Sequence, residues 1–173
     1  SQLSGQRSMN VQVSMRTASN AVSPLLDTSR THCIVIDNVI NNDVSGETLP
    51  THGLLLNKYI SKTVTLAEGQ DSEDNQVILT AYRPPGTDVK VYVKLLNSQD
   101  SDPISRKNWI ELEKQAGGDL VYSSVANRDN FKEFTFAPST ATKSGDMGQV
   151  QYTSGTTTYT GYKYFAVKIV ITA

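Results

Sequence analysis

The chain has 173 residues, one cysteine, 38% hydrophobic and 19% charged side chains, which is enough to bury a single-domain core without disulfide staples. Sixteen Lys and Arg against 17 Asp and Glu leave a formal charge of -1, so no net electrostatic drive toward nucleic acid or an anionic membrane exists. Apolar runs such as 33–36 and 54–56 fall far short of the roughly 20 residues of a membrane helix, and a soluble domain is expected.

Residues 1–8 read as a flexible polar leader, and 9–173 as a single β-sandwich domain. The chain opens at Ser1 without a methionine or a charged-then-apolar signal pattern, as a processed piece would. Over 10–15, Val11, Val13 and Met15 alternate with Asn10, Gln12 and Ser14, the period of a first strand. A Ser-, Asn- and Thr-rich connection spans 17–30, broken by Pro24, with Leu25 and Leu26 expected to pin it to the core. The second strand is read over 32–40. Cys33 lies in its apolar stretch and reads as a small buried side chain. His32 faces the opposite side, so the two form no dyad. His52 has no sequence partner, and metal or nucleophilic chemistry is not indicated. After turn material at 41–49, a third strand is read over 59–66, where Lys62 interrupts the apolar row and points to a sheet edge.

The acidic stretch 68–75 offers closely spaced oxygen ligands of the kind calcium takes, yet lacks the glycine and final-glutamate spacing of an EF-hand. It reads as a solvated turn. The apolar run 76–82 then predicts a strand covered on both sides or central in its sheet. Arg83-Pro84-Pro85-Gly86-Thr87 supplies Pro-Gly for the middle of a tight turn. Val89, Val91, Val93 and Leu95 follow on one face, with Lys90, Tyr92 and Lys94 on the other. The expectation is a hairpin at the centre of the domain, with its second strand wet on the lysine side.

A loop over 97–108 carries Asp100 and Asp102, and 109–114 fits either a strand or one short helix. Residues 131–136 read as a strand ending before Pro138, followed by a polar loop over 137–146 and an exposed hairpin over 149–160 around Ser154-Gly155. The last strand, 164–172, sets Phe165, Val167, Ile169 and Ile171 against Tyr164, Ala166, Lys168 and Val170. About eight such strands with long loops and no intervening helices predict an all-β, antiparallel, jelly-roll-like sandwich. A partly closed barrel fits the same pattern.

No GxSxG, HExxH, CxxC or phosphate-loop pattern occurs. The pairs Asp100/Asp102 and Glu111/Glu113 have the residue type of glycosidase carboxylates, but chains of this size carry such pairs by chance. Trp109, Tyr152, Tyr159 and Tyr162 are the candidates for a sugar-stacking or partner-binding platform, against the plainer reading in which Trp109 plugs the core. No catalytic residue, cofactor or metal is expected.

The run Lys58-Tyr59-Ile60-Ser61-Lys62-Thr63-Val64-Thr65-Leu66-Ala67-Glu68-Gly69-Gln70-Asp71-Ser72-Glu73-Asp74 continues through Leu79-Thr80-Ala81-Tyr82-Arg83-Pro84-Pro85-Gly86-Thr87 to Val89-Lys90-Val91-Tyr92-Val93-Lys94. It resembles a segment of large virion structural proteins of contractile-tailed bacteriophages, particularly marine and cyanobacterial ones. Val22-Ser23-Pro24-Leu25-Leu26-Asp27 with Val39-Ile40-Asn41-Asn42, and the stretches 131–136 and 165–171, resemble flanking parts of the same family. Residues 137–161 have no counterpart in it. The resemblance implies a non-enzymatic virion component of the tail or baseplate, assembled in the bacterial host cytoplasm. Its partners would be other phage virion proteins or further copies of itself. A module that binds carbohydrate, such as a host glycan receptor, is the alternative.

Overall fold

The computed structural model describes residues 12–18, 21, 24–26, 44–51, 53–115, 117–144 and 148–172. The leader 1–8, the expected strand over 32–40 with its Cys33, and His52 lie outside the described residues. The chain divides into two compact units, 1–40 and 41–173. In the first, residues 12–15 carry no strand, Val13 and Met15 are each 53% exposed, and Leu25 is 96% exposed. The expected first strand is therefore absent over its described part, and Leu25 is not pinned. Alternation alone does not make a strand; it needs a neighbour to pair with and a layer to cover.

Among its described residues the second unit is almost wholly β, with no helix of seven residues or more. Its described strands are β1 (Lys58–Ile60), β2 (Val64–Thr65), β3 (Val77–Ala81), β4 (Asp88–Leu96), β5 (Ile110–Lys114), β6 (Lys132–Pro138), β7 (Lys143–Ser144), β8 (Gln149–Ser154), β9 (Thr157–Thr160) and β10 (Tyr164–Thr172). The main sheet runs β1-β10-β4-β5-β6-β3, with β2 also on β10, and β7-β8-β9 form a smaller sheet. All pairings are antiparallel. The sheets curl into a half-barrel, in keeping with the expected all-β, antiparallel sandwich-like class.

The expected central hairpin is corrected. The turn itself forms, with Gly86 at φ +89° and the Thr87 N–H donating to the Pro84 carbonyl over 3.1 Å, as Pro-Gly in the middle of a turn requires. The strands it joins do not pair. β4 aligns with β10 over nine residue pairs, from Tyr164↔Leu96 to Thr172↔Asp88, whereas β3 pairs with β6 at the far side of the sheet. Beside the turn, Arg83 and Ser123 are joined by two hydrogen bonds, Ser123 N–H to the Arg83 carbonyl (2.7 Å) and Arg83 N–H to Ser123 Oγ (2.9 Å). These fasten the chain after β3 to the loop leading into β6. Nor is β3 central: it is the last strand, with inward Val77, Leu79 and Ala81 partly buried and Ile78 59% exposed. The ambiguous segment 109–114 resolves as a strand, and β6 runs on through Pro138. β1 ends the sheet, as the Lys62 interruption suggested.

The second correction concerns β4, which has no wet face. On one side Val89, Val91, Val93 and Leu95 join Leu112, Phe134 and Phe136 in the larger core, closed by Val150 of β8 and by Tyr162. On the other, Tyr92 packs with Leu55, Trp109, Ala166 and Val170. The covering layer is a strap, residues 44–51 and 53–57, that lies over this face. Three donors catch its carbonyls: Lys168 Nζ on Glu47 (2.5 Å), the Trp109 N–H on Thr48 (2.8 Å) and Lys94 Nζ on Pro50 (3.2 Å). The two lysines reach the strap over ring faces, Lys168 Nζ 4.6 Å and 5.0 Å from the Tyr92 and Trp109 centroids and Lys94 Nζ 4.8 Å from that of Trp109, a placement that adds cation–π attraction.

Candidate functional site

The four aromatic candidates do not share a surface. Trp109 is 3% exposed under the strap, and Tyr162 is buried in the larger core, edge-on to Phe165. The other two, Tyr152 and Tyr159, are directly opposite in the β8–β9 hairpin and stack at 5.5 Å with 22° between their planes. This hairpin forms where the Ser154-Gly155 signal placed it, with Gly155 at φ +60°.

Below the stack the structure brings Tyr152 together with both loop carboxylates. Tyr152 Oη donates to Asp100 Oδ2 (2.9 Å) and accepts the Asn97 N–H (2.8 Å). Lys107 Nζ reaches Asp100 Oδ2 at 2.7 Å, Asp102 Oδ2 at 3.0 Å and Ser154 Oγ at 2.5 Å, so each of its three protons has an acceptor. The Ser154 hydroxyl in turn donates to Asp102 Oδ2 (3.1 Å). Burial pushes the Asp100 carboxyl up, but the bonds from Lys107, the Asp102 N–H and Tyr152 overrule it and hold it below its ordinary value. Asp102 is lowered by Lys107 and Ser154. Lys107 is raised, its two carboxylates outweighing the effect of burial. A glycosidase keeps one carboxyl protonated near neutral pH; here both are driven the other way. An adjoining cavity of about 250 Å³ is lined by Asp102, Arg106, Asn108, Tyr152 and Ser154. Lys107 was not singled out from sequence, because its three acceptors come from two segments about 50 positions apart.

The acidic stretch is dispersed among separate partners. Glu68 pairs with Lys163, Asp71 accepts from Ser98 (2.7 Å), Glu73 from Gln149 (2.6 Å), and Asp74 pairs with Lys143 (3.0 Å). Among the described residues, no three of His, Cys, Asp and Glu are grouped as metal ligands. The remaining pair, Glu111 and Glu113, lies on exposed positions of β5, where Glu111 meets Lys90 (2.9 Å).

A feature that sequence reading missed is the outer edge of β3. Among the described residues no strand pairs with it, and residues 76–82 contain no charge, proline or glycine. At its C-terminal end, rings gather. Tyr82 meets Phe131 edge-on at 6.3 Å and donates to the Ser124 carbonyl (3.1 Å), while Tyr122 lies over the Arg83 guanidinium at 4.6 Å. Arg83 organises this end: Nη1 donates to the carbonyls of Asp119 (3.1 Å) and Val121 (2.9 Å), and Nε to Asp88 (3.1 Å). The loop so held turns Tyr122, Val125 and Phe131 outward.

The opposite edge is different. There β1 and β2 are three and two residues long, separated by Ser61-Lys62-Thr63, and the Ser61 N–H is spent on the Val167 carbonyl (2.9 Å). Short, interrupted, lysine-bearing edges resist pairing, and a smooth uncharged one invites it. Among the described residues no helix is long and apolar enough to cross a membrane. Comparison with protein-family models, curated proteins and solved structures gave no match.

Proposed function

We propose that this chain is a structural component of a bacteriophage particle, of the tail or baseplate, that works through contacts with neighbouring virion subunits. The observation that carries the reading is the uncharged edge of β3, unpaired among the described residues, with Tyr82, Tyr122 and Phe131 at its end, since such an edge is a template for strand addition. Two further points support it. The sequence resembles phage virion proteins over most of its length, and the buried ionisable groups Glu47, Lys107 and Lys168 are engaged in fixed pairs rather than held ready for proton transfer. On this reading the chain is not an enzyme. Specific antibody applied to purified phage in negative-stain microscopy should decorate the tail or baseplate; particles that carry no label, and no peptides of this chain by mass spectrometry, refute the proposal.

A second reading rests on the Tyr152–Tyr159 stack beside the polar cavity at Asp102, Arg106 and Asn108, a combination suited to a sugar ring and its hydroxyls. It predicts glycan-array binding that disappears in Tyr159→Ala. Absence of binding to host polysaccharides removes it.

A further inference from the structure

We propose that β3 pairs with β3 of a second copy, antiparallel and centred on Leu79, joining two main sheets across a twofold axis. The inference rests on reading β3 as an assembly edge, and it names the occupant of that edge.

Three observations select a second copy. First, a strand that meets itself antiparallel across a twofold carries each of its charges into the seam twice, and each stays unmatched unless the residue it faces has the opposite sign. A strand built for a different partner has no such constraint. Residues 76–82 carry no charge at all, while Asp74 and Arg83 flank them. Second, head-to-tail addition through the opposite edge is blocked, because β1 offers only three residues and β2 two, with Lys62 between them. An isologous contact closes after two copies. Third, the inward row Val77, Leu79 and Ala81 is only partly buried although it packs on the larger core. Pairing on the axis at Leu79 sets Val77 beside Ala81 of the second copy and Leu79 beside its own counterpart, which continues that core across the seam. Centring on a bond between residues would turn one copy's apolar row outward, since side chains alternate with period two. With Leu79 on the axis, Ile78 faces Thr80 of the second copy on the outer surface, where both side chains are exposed.

The contact is small, so the dimer is expected to form between a few micromolar and about 1 mM. Sedimentation equilibrium of the full chain should show the mass rising with concentration from 18.9 kDa toward twice that value. Two double variants then test the register without touching the core: Ile78→Lys with Thr80→Lys, and Ile78→Glu with Thr80→Glu. Each alone should dimerise at least roughly tenfold more weakly than the parent, because two like-charged pairs oppose across the axis. An equimolar mixture of the two should dimerise again, which a misfolded variant would not do. A parent that stays at 18.9 kDa up to about 1 mM, unchanged dimers in both variants, or no recovery in the mixture each overturns the pairing. Amide exchange separates the remaining case: a monomer whose 77–81 amides are all protected has this edge covered from within its own chain, and the proposal fails. None of these outcomes depends on phage particles, so dimerisation and virion placement fail separately.

Discussion

Replacing Glu47 by glutamine should be among the most damaging single changes in the fold. Its carboxylate is 1% exposed and takes three donors, Lys168 Nζ at 2.8 Å, Lys58 Nζ at 3.1 Å and the Leu55 N–H at 2.8 Å. Lys168 is fully buried. Glu47→Gln keeps the shape and removes the negative charge that these two ammonium groups share, and stripping one partner from a buried pair costs about 3–5 kcal/mol. Lys168→Met is the milder change, because the carboxylate keeps Lys58 and the Leu55 N–H; losing one charged hydrogen bond amounts to about 1.5–3 kcal/mol. The double variant should cost clearly less than the sum of the two, with a coupling of about 1 kcal/mol or more. Urea unfolding followed by tryptophan fluorescence suits the question, since Trp109 is the one tryptophan and its ring centroid lies 5.0 Å from Lys168 Nζ. A Glu47→Gln protein within about 1 kcal/mol of the parent, or strict additivity in the double variant, would refute the idea that this pair anchors the strap.

Gly53→Ala should lower the melting temperature by several degrees, a loss of about 1–3 kcal/mol. Gly53 sits at φ +73° and an added Cβ would lie 2.4 Å from Glu47 Oε1 and 2.7 Å from its Cα; a melt superimposable on the parent would contradict that close approach. Arg83→Met should release the loop over 117–131 while the sheet persists, read as faster proteolysis within that loop; unchanged cleavage would show that the carbonyl contacts of Arg83 are dispensable. Acid should also destabilise the domain. Burial pushes the Glu47 carboxyl up, but the Lys168, Leu55 and Lys58 bonds overrule it, and Asp100 is lowered in the same way. The folded form therefore binds fewer protons than the unfolded chain near the ordinary carboxylate range, so this stability is intact above about pH 5 and drains away below about pH 4. Urea titrations at pH 7, 5 and 3.5 check the direction, and a midpoint that rises on acidification would reverse it.

Local signals in the sequence were reliable where a contact is made between near neighbours. The Ser154-Gly155 hairpin, the alternation from Val89 to Leu95 and the 164–172 strand all appear, because each depends on turn chemistry or on one strand's own period. The Pro85-Gly86 turn was legible too, yet the pairing inferred from it was not. β4 has nine registered pairs with a strand some 75 positions later, and a turn cannot veto that. Lys94 is expected to be wet because lysine in an alternating strand normally is, and nothing in the period of 164–172 marks Lys168 as buried. The strap that covers both comes from 44–51 and 53–57, and its only hint was the clustered leucines at 54–56. At the candidate site, sequence pointed to Tyr152 with Tyr159 and to the Asp100/Asp102 pair separately. That Lys107 fuses them into one hydrogen-bonded cluster depends on a loop and a hairpin about 50 positions apart.

β10 lies between β1 and β4, pairs with β2 as well, and donates the lysine that grips the strap. Every one of those elements leaves the ribosome earlier than it does. Until residues 164–172 emerge, β1 and β4 have nothing in common to hold, and the strap lacks its deepest anchor. Closure of this half-barrel is thus postponed until that strand has been made, and a nascent chain halted before Tyr164 would display an unroofed hydrophobic surface to chaperones rather than a smaller version of the same domain.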